Sequence, residues 1–222
     1  YGPVKPIGSL DPGFGGDACI FRWGRMGRIE SGRMGVQLES FVEIKSTMDS
    51  PEERDFQIAK QVIELCKAKG IRPECFGTDS TGTGRGVFSH LVHEWSPSVR
   101  GVEFGGSASL MPASSADPRE SKEVYHNRVT ELYWVARDAV EGEQIRNIDA
   151  VTCKELCARE YTVKGRRYYV IPKADCKRLY GFSPDHADAF VVLMEVARQN
   201  GLTPGGSPKT NRTANWQETA ES

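Results

Sequence analysis

Residues 7–17 read IGSLDPGFGGD, an apolar segment that ends at Asp11 and runs into a turn rich in glycine (positions 13, 15 and 16). A similar arrangement recurs downstream, where residues 74–78 lead into Asp79 and then into the turn TGTG at 81–84. Glycine permits tight turns that leave a neighbouring side chain little covered. The two stretches therefore predict two strands, each of which ends at an accessible aspartate.

The rest of the chain predicts an antiparallel start followed by alternating strands and helices. Strands are expected at 17–23 and 35–44, which together with the strand before Asp11 form a meander. A strand at 99–104 and a hairpin at 161–171 come later. This order favours the α/β class, with a mixed sheet flanked by helices.

Helix signals are clearest after the meander. Ser50, Pro51 and Glu53 form a predicted capping box, and Gly70 is the expected stop of that helix. Apolar periodicity predicts the other helices, at 87–95, 120–140 and 183–199.

The bulk composition is that of a globular protein. Of its 222 residues, 38% are hydrophobic and 27% charged, and the formal net charge is −1, so overall charge does not indicate a nucleic-acid partner. We expect one domain over residues 1–200 and a disordered polar tail over 201–222. Neither a signal peptide nor a transmembrane segment is predicted, and the six cysteines are expected to be reduced thiols.

A third group of acids opens the last predicted helix. Asp185 and Asp188 lie three residues apart, so both can face one direction. Carboxylates gathered at strand and helix ends are costly unless positive charge neutralises them. A pair of divalent cations does this well and can hydrolyse a phosphodiester, and carboxylate oxygens suit Mg²⁺ or Mn²⁺. Each aspartate alone is equally compatible with a turn or a helix start.

Taken together, the three acidic stretches resemble the motifs of a known family. Residues 11–17 (DPGFGGD), 78–84 (TDSTGTG) and 183–189 (SPDHADA) look like those of the nuclease (C-terminal) domain of tailed-bacteriophage large terminase subunits. Residues 125–134 (YHNRVTELYW) and 171–173 (IPK), followed by Arg178, resemble two further stretches of that family. The resemblance implies a ribonuclease H-like fold with about five strands, and two-metal cleavage of double-stranded DNA during genome packaging.

The resemblance also assigns site residues. Catalytic and metal-binding roles fall on Asp11, Asp79 and Asp188, and a further metal ligand on Asp185. Candidates for an assisting or neighbouring role are Asp17, Lys173, Lys177 and His186. For His186 the alternative is a surface histidine, because helical spacing points it away from both late aspartates.

Two basic clusters are candidates for gripping DNA through its phosphates. The first, assigned to the hairpin between the second and third strands, consists of Arg22, Arg25, Arg28 and Arg33. The second, at the tip of the later hairpin, consists of Lys164, Arg166 and Arg167. Both clusters are equally compatible with solubilising turns. The resemblance suggests that the second hairpin regulates access to the site.

Large terminases also carry an ATPase motor with a phosphate loop, GxxxxGK[ST]. Residues 77–82 are followed here by Thr83-Gly84 rather than Lys-Ser, so no nucleotide site is predicted. The resemblance implies as partners a separate motor domain, a portal protein and a small terminase subunit, and it places the activity in the cytoplasm of an infected bacterium. Two alternatives stay open: another ribonuclease H-like nuclease (a resolvase or transposase core), or a non-catalytic module that docks on the portal or capsid.

Overall fold

The apolar segment before Asp11 becomes an inner strand of a mixed sheet in the computed structural model, which describes residues 4–13 and 16–205. Six strands pair in the order β5-β4-β1-β2-β3-β6. They are Lys5–Asp11 (β1), Ile20–Arg28 (β2), Met34–Glu43 (β3), Phe76–Asp79 (β4), Arg100–Val102 (β5) and Ile145–Arg146 (β6). The pairs β1–β2 and β2–β3 are antiparallel, whereas β1–β4, β4–β5 and β3–β6 are parallel. The predicted mixed sheet and its N-terminal meander are confirmed.

Seven α-helices flank this sheet within the described residues. They are Arg54–Lys69 (α1), Gly84–Glu94 (α2), Ser121–Val124 (α3), Arg128–Glu141 (α4), Ala150–Ala158 (α5), Lys173–Tyr180 (α6) and Asp185–Gln199 (α7). Helix α7 contacts β1, β2 and β4, and its residues are buried on every side. Its middle part, FVVLM at 190–194, is wholly inaccessible, as expected for a helix that is apolar around its whole circumference. Because α7 packs in the core of the fold against β1, its first turn lies next to the end of that strand.

A separate two-stranded hairpin confirms the prediction for 161–171. Strands Tyr161–Lys164 (β7) and Arg167–Val170 (β8) pair antiparallel around Gly165 and Arg166. Both turn residues have positive φ, 55° and 69°, as a two-residue type I′ turn requires.

Two details of the predicted elements differ in the structure, and one is confirmed. The sheet has a sixth strand, β6, whose two residues are too few to produce a sequence pattern. Helix α1 begins at Arg54, because the Ser50 hydroxyl accepts a hydrogen bond from the Glu52 amide and forms a local turn instead of capping a helix. The stop at Gly70 is confirmed by its left-handed conformation, with φ of 68°.

The predicted helix at 120–140 is also wrong as one element. It is divided into α3 and α4 by an extended segment, within which Asn127 accepts a hydrogen bond from the Thr130 amide and so caps α4. Helices α5 and α6 were not predicted. Few of their residues are buried, and Cys176 is the buried residue of α6, so neither helix shows a clear apolar stripe.

Among the described residues, no helix combines the length and the apolar character needed to cross a bilayer. All six cysteines are free, and of these Cys153 and Cys157 are exposed. Gly15 of the predicted first turn and positions 206–222 of the predicted tail lie outside the described residues.

Candidate metal centre

Parallel pairing of β1 and β4 places the first two acidic motifs side by side. Leu10 pairs with Thr78 in register, so Asp11 and Asp79 follow as the next residues on neighbouring strands. Side chains that end adjacent parallel strands meet at one edge of a sheet. Their predicted proximity is therefore a direct result of the strand register.

The third motif reaches the same edge on helix α7, which packs against the sheet. The first turn of α7 is closed by the Asp188 amide, which donates to the carbonyl of Pro184 at 2.8 Å. Carboxylate oxygens of Asp11, Asp185 and Asp188 all lie within 4.8 Å of one another, and the three side chains are 5–8% exposed. We call these three residues the acidic cluster. Asp79 is half-buried at its margin and lies outside this 4.8 Å group.

Hydrogen bonds from the surrounding chain fix the orientation of each carboxylate on α7. The Tyr133 hydroxyl donates to Oδ1 of Asp188 at 2.7 Å. The amide of Ala18 donates to Oδ2 of Asp185 at 2.8 Å, and the Ser183 hydroxyl donates to Oδ1. These contacts hold the carboxylates together despite their mutual repulsion.

Asp79 is held independently by its own turn. Its Oδ1 accepts from the amide and the hydroxyl of Thr81, at 2.9 and 2.7 Å. Burial nevertheless raises the pKa of Asp79, and the neighbouring charge of Asp188 adds to the increase. The other carboxylate oxygen of Asp79 is left available at the margin of the acidic cluster.

One cation lies among these carboxylates. The ammonium of Lys173, at the start of α6, is 2.9 Å from Asp185 Oδ1, 2.9 Å from Asp188 Oδ2 and 3.6 Å from Asp11 Oδ2. Burial lowers the pKa of Lys173, but the three carboxylates outweigh this effect and leave it above its ordinary value. A single ammonium therefore faces three carboxylates.

The excess of negative charge in the site also affects Asp11. Its Oδ2 is buried and has no hydrogen-bond partner. Burial raises the pKa of Asp11 well above its ordinary value; the charge of Lys173 opposes this rise, and the repulsion of Asp188 and Asp185 adds to it. A buried group of hard oxygen donors with excess negative charge, one of which has no hydrogen bond, fits a divalent cation such as Mg²⁺ or Mn²⁺.

The predicted assisting residues fall into two groups. Lys173 lies within the acidic cluster, as described, and Lys177 forms an ion pair with Asp17 at the edge of the site. His186 lies apart from the carboxylates: its ring packs edge-on against Phe41, with centroids 4.5 Å apart, and burial lowers its pKa.

Sequence reasoning missed three residues that support the site, namely Tyr133, Ser183 and Glu155. The Glu155 carboxylate accepts from the amide of Ala187 at 2.9 Å in the first turn of α7, and burial raises its pKa to about 7. The separation of 55 residues between Tyr133 and Asp188 explains why no local pattern could reveal their contact.

The predicted DNA-binding role of Arg22 is wrong. Strand β2 extends to Arg28, so Arg22 lies within the sheet and not in the hairpin loop. Its side chain is 1% exposed and donates to Asp149 at 2.8 Å and to Thr152 at 2.6 Å. A guanidinium enclosed and paired in this way cannot reach a phosphate.

Arg25 and Arg28 are exposed but lie far from the acidic cluster. Arg25 pairs with Pro6 near the opposite end of β1, which is about 15–20 Å from Asp11 at 3.4 Å per residue. Arg25 is also bound to Glu39 at 3.0 Å, and Arg28 donates to the carbonyl of Gly32. Lys164 and Arg166 are exposed on the β7–β8 hairpin, whose last strand leads within three residues to Lys173.

No protein-family model matches the sequence, and no curated protein matches it. Solved structures do match. A mutant nuclease domain of the large terminase subunit gp2 of bacterial virus Sf6, with manganese and beta-thujaplicinol, superposes with a TM-score of 0.60 and 17% identity, covering 86% of this chain and 87% of that one. A mutant gp2c of the large terminase subunit from bacteriophage Sf6, with calcium, gives 0.60 and 18%, over 86% and 89%.

The large terminase nuclease from thermophilic phage G20c gives a TM-score of 0.50 at 11% identity, covering 88% of this chain and 83% of that one. At these low sequence identities, the match shows that the folds are similar. The chain has the ribonuclease H-like fold found in nuclease domains of phage large terminase subunits, and the resemblance drawn from the acidic motifs is confirmed at that level.

Proposed function

We propose that this chain is a metal-dependent endonuclease that cuts double-stranded DNA, as the nuclease part of a phage genome-packaging machine. The observation that carries the proposal is the acidic cluster, in which one aspartate of β1 and two of α7 place oxygens within 4.8 Å of one another. Its position in a fold shared with terminase nuclease domains supports the same conclusion.

Asp11, Asp185 and Asp188, with Asp79 at the margin, are the residues that would hold the cations. Bound Mg²⁺ or Mn²⁺, as one ion or a pair, supplies an activated water and neutralises charge on the phosphodiester. The protein contributes the orientation of the carboxylates: Tyr133 holds Asp188 and the Ala18 amide holds Asp185.

Lys173 has a distinct part in this proposal. Its ammonium balances some of the carboxylate charge in the protein without cations. It remains close enough to face a phosphate oxygen brought to the same carboxylates. A long lysine stem allows both positions.

The DNA path is proposed to follow the β7–β8 hairpin. Lys164, Arg166 and Arg167 would contact phosphates without reading bases, which suits cleavage with little sequence preference. The partners proposed with this role are double-stranded DNA, a portal protein, a small terminase subunit and a separate ATPase motor, acting in the cytoplasm of an infected bacterium. Exchange of Lys164 and Arg166 for alanine should weaken DNA binding and lower its salt dependence, whereas Arg72→Ala on another surface should not.

The test is cleavage of supercoiled plasmid with Mg²⁺, Mn²⁺ or neither, using the wild-type chain, Asp79→Ala and the control Asp175→Ala. Asp175 is a partly exposed carboxylate paired with Arg178 on α6 and lies outside the acidic cluster. We expect nicked and linear products with metal from the wild type and the control, and none from Asp79→Ala.

Three results would contradict the proposal. Cleavage that persists in Asp79→Ala would show that the activity belongs to a contaminant or another site. Absence of cation binding by calorimetry at millimolar Mn²⁺ would favour a docking module instead. Preference for branched or terminal substrates over plain duplex would indicate a resolvase or transposase core.

A further inference from the structure

A cavity separate from the metal centre takes no part in the proposed cleavage. It encloses about 600 Å³ between α4, α5 and the base of the β7–β8 hairpin. Its walls are mostly apolar and include Trp134, Ile148, Leu156 and Val170. A cavity of this volume with apolar walls and few polar groups has the size and character of a small-molecule site.

One buried cation lines this cavity. Arg159, at the end of α5, is 7% exposed, and its Nε and Nη1 atoms are buried without a hydrogen-bond partner. Its guanidinium lies 4.7 Å from the centre of the Tyr133 ring, a contact that offsets part of the cost of burial. Burial of a guanidinium without hydrogen bonds is costly, so the charge of Arg159 favours a compensating anion on the cavity side of the residue.

The acidic residues around the cavity do not supply that acceptor. Glu141 is bound to Arg137 at 2.9 Å, and Glu160 accepts a hydrogen bond from the Tyr180 hydroxyl. Among the described residues, no carboxylate forms an ion pair with Arg159. Arg159 therefore lines the cavity without an ion-pair partner in the part of the chain that the structure describes.

We propose that this cavity binds a small amphipathic anion, with a flat or aliphatic apolar body against Trp134 and Leu156 and a carboxylate on Arg159. The anionic head would pair with the guanidinium charge of Arg159 from the cavity side, a charge-assisted contact that is strong away from water. The apolar body would be removed from water by the surrounding walls. This site is separate from the acidic cluster and does not depend on cleavage activity.

Cys153 and Cys157 provide a direct readout, because both line the cavity and are exposed, whereas the other four cysteines are buried. The experiment measures iodoacetamide alkylation of each cysteine by mass spectrometry, with 2-naphthoate as the probe and the neutral, nearly isosteric 2-naphthamide as its matched control. We expect 2-naphthoate to slow alkylation of both thiols in a saturable manner and 2-naphthamide to have little effect.

Two variants locate the binding. Arg159→Gln should weaken 2-naphthoate binding about tenfold, the loss expected for a charge-assisted hydrogen bond. Leu156→Trp keeps Arg159 but fills the cavity, so it should abolish protection even if Arg159→Gln does not fold. The control Arg72→Gln changes an exposed arginine that pairs with Glu74, neither of which lines the cavity, and should leave protection unchanged.

Equal protection by the acid and the amide would overturn the proposal, since the charge would then have no role. Protection that survives in Leu156→Trp would place the ligand elsewhere. Absence of protection at 2-naphthoate concentrations in the millimolar range would show that the cavity does not bind an amphipathic anion.

Discussion

Helix α7 carries two buried groups of charged residues that differ in charge balance. At its start, Asp185 and Asp188 meet Asp11 around the single ammonium of Lys173. Three turns later, Glu195 and Arg198 join Arg128 and Glu131 of α4 in a network of two acids and two bases, with distances of 2.7–2.9 Å. We call these four residues the balanced network.

The pKa values of the carboxyl groups Asp11 and Glu131 shift in opposite directions in the two groups. In the acidic cluster, burial and neighbouring carboxylates raise the pKa of Asp11. In the balanced network, burial also raises the pKa of Glu131, but hydrogen bonds from Ser109 and the charge of Arg128 outweigh it and leave the pKa below its ordinary value. The comparison teaches that carboxylates buried to a similar extent can have different roles. Where basic side chains match their charge they support packing, and where the charge is not matched they can bind a cation.

The largest expected effect is on activity, in the acidic cluster. Asp188→Asn should reduce plasmid cleavage at least about a thousandfold, because it removes a charged cation ligand. The fold should persist, since the amide oxygen can still accept from Tyr133. The comparison variant Glu195→Gln, on the same helix, should keep its activity per folded molecule; equal loss in both variants would show that the two groups do not differ in function.

The second prediction concerns stability in the balanced network. Glu131→Gln should lower the free energy of unfolding by about 3 kcal/mol, because it leaves Arg128 and Arg198 buried with one acid between them. Urea unfolding measures the loss. Glu141→Gln on the exposed face of the same helix is the control and should have little effect; a stable Glu131→Gln variant would show that the network is not needed for packing.

A third prediction tests the one cation of the acidic cluster. Lys173→Met keeps the apolar stem but removes the charge, so Mn²⁺ affinity measured by calorimetry should rise about tenfold as competition for the carboxylates ends. Stability without metal should fall because the repulsion is no longer offset. Lys177→Met, outside the acidic cluster, should change neither quantity. A fall in Mn²⁺ affinity would mean that Lys173 organises the carboxylates for the ion.

The smallest effect is expected at Asp138, a half-buried acid on α4. Burial raises the pKa of Asp138 to about 6, above its ordinary 3.8. The neutral form therefore stabilises the fold fully below pH 4, and this contribution is lost as pH rises through 6.

Asp138→Asn should accordingly match the wild type near pH 4 and exceed its free energy of unfolding by about 1 kcal/mol at pH 7.5, a value reduced for partial exposure. Urea titrations at both pH values measure the difference. A constant difference between the variants across this range would show that Asp138 does not titrate there.

Local sequence was enough to predict the segments that end in acids. The glycine-rich turns after Asp11 and Asp79, and the Ser-Pro start before Asp185, indicated where strands end and a helix begins, because backbone freedom and capping are local properties. Local sequence was not enough to predict that the 120–140 segment divides into α3 and α4. At the break, the His126 amide donates a hydrogen bond to the carbonyl of Tyr168 in the hairpin.

The sequence by itself determined which acids are available, the strand and helix order and the class of fold. Only the tertiary structure decided that Lys173 lies among three carboxylates, that Tyr133 holds Asp188, that Arg22 is enclosed and that Arg159 faces an apolar cavity. The physical reason is distance along the chain: these contacts join residues far apart in sequence, and charge, burial and hydrogen bonding at each of them depend on neighbours that no local pattern specifies.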